Sequence, residues 1–73
     1  MINDDILTAR VFTILEKANE YFKDRDKTSQ WFYKSNLLLD GDAPVDYTFS
    51  YYSYKELLKL LQNTNIYIDN TVH

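Results

Sequence analysis

With 73 residues, 45% hydrophobic and 16% aromatic, the chain is near the lower size limit for one self-sufficient core. It is also too apolar for a disordered segment at a formal net charge of −3. The lack of cysteine excludes a disulfide framework and a thiolate metal site, and the only histidine, His73, stands last, which leaves no ready catalytic base or imidazole ligand. Basic residues alternate with acids in the first half and thin out after Lys34, so no basic stripe offers a phosphate backbone its usual electrostatic grip and direct nucleic-acid binding is not expected. No apolar run approaches the ~20 residues that span a bilayer. The start, with Asp4 and Asp5, lacks the basic and apolar regions of a signal peptide, so a cytoplasmic location is expected.

Asp4 or Asp5 is placed to cap a first helix, where a carboxylate also meets the positive end of the helix dipole. Leu7, Val11, Ile14, Ala18 and Phe22 then recur at spacings of three and four, which predicts an amphipathic helix ending near Lys23. Phe12 lies off that stripe, either beneath a neighbouring helix or exposed to a partner. Asp24 to Lys27 reads as a charged connector, after which Thr28 or Ser29 caps a short helix carrying Trp31 and Phe32. Asn36, which tolerates left-handed backbone, suits its exit. Asp40-Gly41 supplies a turn with the only glycine, and the only proline, Pro44, suits the first position of a short helix that turns Val45 and Phe49 inward. Ser53-Tyr54-Lys55-Glu56 has the form of a capping box, with Tyr52 and Leu57 placed as its hydrophobic staple. Tyr54, Leu57, Leu58 and Leu61 give the following helix its apolar face, with Leu60 beside it. Ile66, Tyr67, Ile68 and Asp69 alternate as an extended segment does.

These elements predict an all-α fold: one domain over 1–73, a small bundle of about four short helices with an extended C-terminal tail. The predicted core is Leu7, Val11, Ile14, Ala18, Phe22, Trp31, Phe32, Leu39, Val45, Phe49, Leu57, Leu58 and Leu61. Asp40, Asp42 and Asp46 cluster, but they lack the alternation and terminal glutamate of a calcium loop, so turn formation and capping explain them better than a metal does. There is no Gly-rich phosphate loop and no nucleophile elbow, so neither an enzyme nor a cofactor is expected. Tyrosine is dense, seven in all, and Tyr51 and Tyr67 fall on no predicted buried stripe, which favours a partner surface for both.

The run Trp31-Phe32, Ser35-Asn36, Leu39, Gly41, Pro44-Val45 resembles, without a gap, the signature W-L-x-x-P-N-x-x-L-x-G-x-x-P-L of the toxin-binding domain of the MbcA/ParS/Xre antitoxins. Ser50, Glu56, Leu57, Leu60 and Leu61 continue the likeness into the final helix of that domain, and the helix from Ile6 to Phe22 fits the one before. Ser35 stands where the family has proline, and Asp40, Ser53 and Tyr67 where it tends to have glycine. The resemblance implies a non-enzymatic antitoxin domain that neutralises a RES-domain, NAD-consuming toxin by obstructing its active site with the C-terminal end. Carried onto this chain, Asn65, Ile66, Tyr67 and Ile68 form the obstructing segment with Tyr51 and Tyr52 beside it, and deletion after Asn63 should leave a folded domain. Two other readings are a phage or prophage inhibitor of a bacterial defence system and a transcriptional regulator, the last disfavoured by the missing basic face. A protein partner is expected in the first two, and an exposed Phe12 would make a homo-oligomer credible.

Overall fold

The computed structural model describes residues 4–68 and is all-α, a small helical bundle. Three α-helices, α1 (Asp4–Phe22), α2 (Arg25–Tyr33) and α3 (Tyr51–Leu60), are joined by a five-residue 3-10 helix, Pro44–Thr48, and by 3-10 turns at Leu37–Leu39 and Thr64–Tyr67. The predicted stripe of α1 faces inward from Val11 to Phe22, while Leu7 is half-buried and outside the core cluster. Ile14 and Ala18 are fully buried, and Val11 and Phe22 pack against the same core. Asp4 and Asp5 are the first two residues of the helix itself.

The helix stops where Lys23 turns left-handed at φ 53°, a conformation that β-carbon crowding makes costly for any residue but glycine. Asp24, and not Thr28 or Ser29, caps α2: its carboxylate accepts from Lys27 N at 3.1 Å. The charged connector therefore becomes the first turn of α2. Thr28 is buried inside that helix, and its hydroxyl proton is shared between the Asp24 carbonyl at 2.8 Å and Asn19 Oδ1 of α1 at 3.1 Å.

Asn36 organises the loop that follows, through hydrogen bonds and not through positive φ. Its backbone is extended, its N–H donates to Asp42 O, and its carbonyl accepts from Leu39 N and Gly41 N, each at 3.0 Å. Its amide oxygen accepts from Leu38 N at 2.9 Å, an Asx-type turn. The left-handed residues stand further on, at Asp40 (φ 56°) and Gly41 (φ 88°). Pro44 opens the 3-10 helix as predicted, with Asp46 Oδ2 accepting from Ala43 N at 3.0 Å, so the carboxylate compensates for a cap residue that has no acceptor.

Phe49 is 65% exposed, against the expectation that it faces inward with Val45. The reason is the period of the helix. At 3.0 residues per turn, positions three apart eclipse, so Thr48 takes the inward place and Phe49 is swung out. Thr48 is fully buried, its hydroxyl donates to Val45 O at 2.7 Å, and its carbonyl accepts from Arg10 Nη1 at 3.2 Å, which ties α1 to this segment. The capping box at Ser53 is also absent. Helix α3 starts three residues earlier, with Ser50 at its cap position in place of Ser53, and the Ser53 hydroxyl turns back to Tyr47 O at 2.9 Å and Ser50 O at 3.1 Å. Tyr52, the expected staple, is 82% exposed.

The C-terminal segment is the largest correction. Thr64–Tyr67 is a 3-10 turn capped by the Asn63 side chain on Asn65 N, and the backbone becomes extended only at Ile68; Asp69 lies outside the described residues. Ile66 is fully buried and Tyr67 nearly so. The Ile66 carbonyl accepts from the Trp31 indole N–H at 2.7 Å and from Asn36 Nδ2 at 2.9 Å. No buried side-chain nitrogen or oxygen among the described residues lacks a partner.

Deletion after Asn63 therefore removes part of the core, and such a chain should not fold. Trp31→Phe keeps most of the ring volume and drops one bond to Ile66, and should cost about 1–3 kcal/mol in urea unfolding. Asn36→Ala removes two bonds and should cost about 2–4 kcal/mol. A loss below ~0.5 kcal/mol for Asn36→Ala would show that the bonds to Ile66 and Leu38 do not hold the segment.

Candidate protein-binding surface

The six residues expected to meet a partner fall at two ends of α3 and divide by burial. Tyr51 and Tyr52 occupy its exposed first turn. Asn65, Ile66, Tyr67 and Ile68 follow its far end, about 15 Å away at 1.5 Å rise per residue over the ten residues of the helix. Asn65 and Ile68 are exposed, whereas Ile66 and Tyr67 belong to the core. The buried residues are consecutive, and Ile66 and Ile68 lie on opposite sides, so the alternation of this segment marks no packed face and its exposed share is Asn65 and Ile68.

Tyr67 closes an aromatic cluster with residues of α1 and α2. Its ring stacks on Tyr21 at 4.6 Å, meets Phe22 edge-on at 5.6 Å, and lies 5.3 Å from Trp31 between centroids. The phenol donates to Leu61 O at 3.3 Å. Burial, and then the negative field of Glu20, hold its pKa above the ordinary tyrosine value. Shallow concavities flank this cluster. One, of about 270 Å³, is walled by Phe22, Trp31 and Tyr67 with Lys27 and Lys34 among its lining; the other, of about 290 Å³, lies between Lys17, Glu20 and Leu58.

Tyr33, at the end of α2, is 67% exposed, and three further exposed rings gather at the junction of the Pro44–Thr48 helix and α3. Phe49, Tyr51 and Tyr52 are 65%, 54% and 82% exposed within four consecutive positions. The two tyrosine rings meet edge to face at 6.0 Å, and Lys55 Nζ sits 5.8 Å from the Tyr51 ring. Beneath them the platform is fixed by the Ser53 hydroxyl on Tyr47 O and by the Arg10 anchor, whose guanidinium also lies 5.7 Å from the Tyr54 ring. Tyr47 is half-buried here, and its phenol is held above the usual range by burial first and then by Asp42, Asp40 and Glu56. Sequence reading singled out Tyr51 and Tyr52 but missed Phe49, because the α-helical period puts it on the Val45 face. Phe12, on α1, is exposed at 61%, as are Leu37 and Leu38 at 56% and 44%. Among the described residues, no three of His, Cys, Asp and Glu converge to hold a metal ion, and no helix is long and apolar enough to cross a membrane.

No family model matches the chain, and neither a curated protein nor a solved structure matches it.

The two aromatic groups should separate in mutagenesis. Phe49→Ser and Tyr52→Ser, at exposed rings, should leave stability within about 0.5 kcal/mol, whereas Tyr67→Ala should cost about 3–5 kcal/mol. Because Tyr67 has a raised pKa in the fold, its contribution is fully present below the unfolded value, about 10, and is lost as pH rises through the higher folded value. Unfolding curves followed upward from pH ~10 should therefore show a steady fall in stability, shallower in Tyr67→Phe, with the remaining slope carried partly by Tyr47. An identical alkaline slope in Tyr67→Phe would contradict that assignment.

Proposed function

We propose that the chain is a non-enzymatic protein-binding domain that inhibits its partner by occupying it, and that the partner is a toxin of the RES type. The exposed rings of Phe49, Tyr51 and Tyr52, held on a platform that needs no ordering to bind, carry this reading. Tyrosine and phenylalanine bring large contact area with few rotatable bonds, so a rigid cluster of three concentrates binding energy at little entropic cost. A standard interface of about 800 Å² on this side would cover roughly 15% of the 5225 Å² surface, a scale that these rings and their neighbours can supply.

The toxin part rests on the resemblance of Trp31 to Val45 to the antitoxin signature. The turn at the heart of that signature has a physical task here: Asn36 fixes the loop, Gly41 supplies positive φ, and Pro44 starts the next helix. The obstructing role implied for the C-terminal segment now falls to Asn65 and Ile68 alone, since Ile66 and Tyr67 hold the core. The contact is accordingly assigned to Phe49, Tyr51 and Tyr52, with Asn65 and Ile68 at the other end of α3 as a separate, lesser patch.

Co-expression in bacteria tests the reading. The wild-type chain should restore growth and cellular NAD in cells producing a RES-domain toxin, and Phe49→Ser/Tyr52→Ser should lose at least about tenfold in protection while keeping its fold. A panel of RES-domain toxins unaffected by the wild-type chain would end the toxin assignment. Undiminished protection by the double variant would move the contact elsewhere.

A further inference from the structure

The concavity walled by Phe22, Trp31 and Tyr67 is built differently from the ring surface at the start of α3. Its floor is aromatic and already satisfied. Trp31 donates its indole N–H to Ile66 O, Tyr67 donates its phenol to Leu61 O, and Phe22 has no polar atom. The Asn36 side chain at its edge is spent on Ile66 O and Leu38 N. These side chains keep no donor for a polar guest, so the group that enters has to be apolar. Ile68, 51% exposed, carries the apolar wall out to the surface.

The rim is cationic. Lys27 and Lys34 line the concavity from four residues before Trp31 and three after it, which sets them on the Trp31 side of α2, roughly 10 Å apart along its axis. Gln30 lies between them, and no aspartate or glutamate belongs to the lining. The acids closest in sequence point to other tasks. The Asp24 carboxylate caps Lys27 N, Asp26 stands about 100° round the helix from Lys27, and Glu20 lines the neighbouring concavity with Lys17. A volume of about 270 Å³ falls just under the ~300–1,000 Å³ of small-molecule sites and suits one large side chain. An extended peptide advances ~3.3 Å per residue, so acids one or two positions to either side of such an anchor span the gap between the lysines. The formal net charge of −3 gives an acidic partner no long-range attraction, so the lysines act only once the anchor is seated.

We propose that this concavity is a second docking site, separate from the Phe49–Tyr52 surface, and that it takes an acidic peptide segment of a partner protein. One large apolar side chain enters against Phe22, Trp31 and Ile68, and the carboxylates flanking it meet Lys27 and Lys34. The site stands whether or not the partner of the Phe49–Tyr52 surface is a toxin.

Random peptides displayed on phage and selected against the immobilised full chain test this, with Lys27→Gln/Lys34→Gln and Phe49→Ser/Tyr52→Ser as parallel baits. Both lysines are exposed and glutamine is a good helix former, so the fold should persist, as far-UV circular dichroism reports. Lys27→Gln alone supplies the same readout should the double variant unfold. Trp31, the only tryptophan, walls the concavity, so its emission reports occupancy. The expected peptides carry aspartate or glutamate one or two positions from a large apolar residue and change the Trp31 emission of the wild-type chain. They should bind Lys27→Gln/Lys34→Gln about 3–10-fold more weakly and Phe49→Ser/Tyr52→Ser equally well. Neutral or basic peptides, peptides bound equally by the lysine variant, or peptides that leave Trp31 emission unmoved would overturn the proposal, as would no enrichment. Acidic peptides lost on Phe49→Ser/Tyr52→Ser would also overturn it, by moving the contact to the ring surface. A chain that is dimeric by light scattering and monomeric as Lys27→Gln/Lys34→Gln would give the concavity to a second copy and overturn the acidic partner.

Discussion

The carbonyl oxygen of Ile66 is the point on which the rest of the fold turns. It accepts from the indole of Trp31 and from the amide of Asn36, thirty-five and thirty residues earlier in the chain, in a site closed to water. A buried carbonyl without partners would cost about 1–3 kcal/mol, so these bonds do more than add small net terms; they make any other packing of the segment expensive. Asn36 in turn spends its backbone groups and amide oxygen on the loop that leads to Pro44. One carbonyl thus couples the end of α2, the loop and the 3-10 turn at Thr64–Tyr67. With a core this small, such long-range closure is what converts three helices into one unit.

That coupling also decides where function can be. A segment whose backbone is bonded to Trp31 and whose Tyr67 ring lies between Tyr21, Phe22 and Trp31 is committed to stability, and only its exposed positions, Asn65 and Ile68, are open to a partner. Exposed apolar side chains remain elsewhere, at Phe12, Tyr33, Leu37 and Leu38 and at the start of α3, where the short 3-10 helix ends. The platform there is held by bonds to main-chain oxygens: Ser53 on Tyr47, Thr48 on Val45 and Arg10 on Thr48. Side chains above it can vary without disturbing these, which is the usual division between a rigid scaffold and the residues it presents.

Features set by local periodicity were legible in the sequence. The stripe of α1, the burial of Trp31, Phe32, Leu39 and Leu57, and Pro44 at the first turn of its helix all follow from spacing and backbone preference. What escaped was set by competition between equivalent local options. Asp24, Thr28 and Ser29 could each cap α2; Asp24 does so because Lys23 has already reversed the chain, and the Thr28 hydroxyl finds Asn19 on a helix that sequence cannot place beside it. Ser53 and Glu56 have capping-box spacing, yet the serine is drawn to Tyr47 O, a tertiary partner. Phe49 depended on whether a five-residue helix would follow a period of 3.6 or 3.0, a choice that short helices leave to their surroundings. The tail looked extended because Ile66 and Ile68 alternate with Tyr67, but alternation over so few residues does not distinguish a strand from a turn with one buried edge.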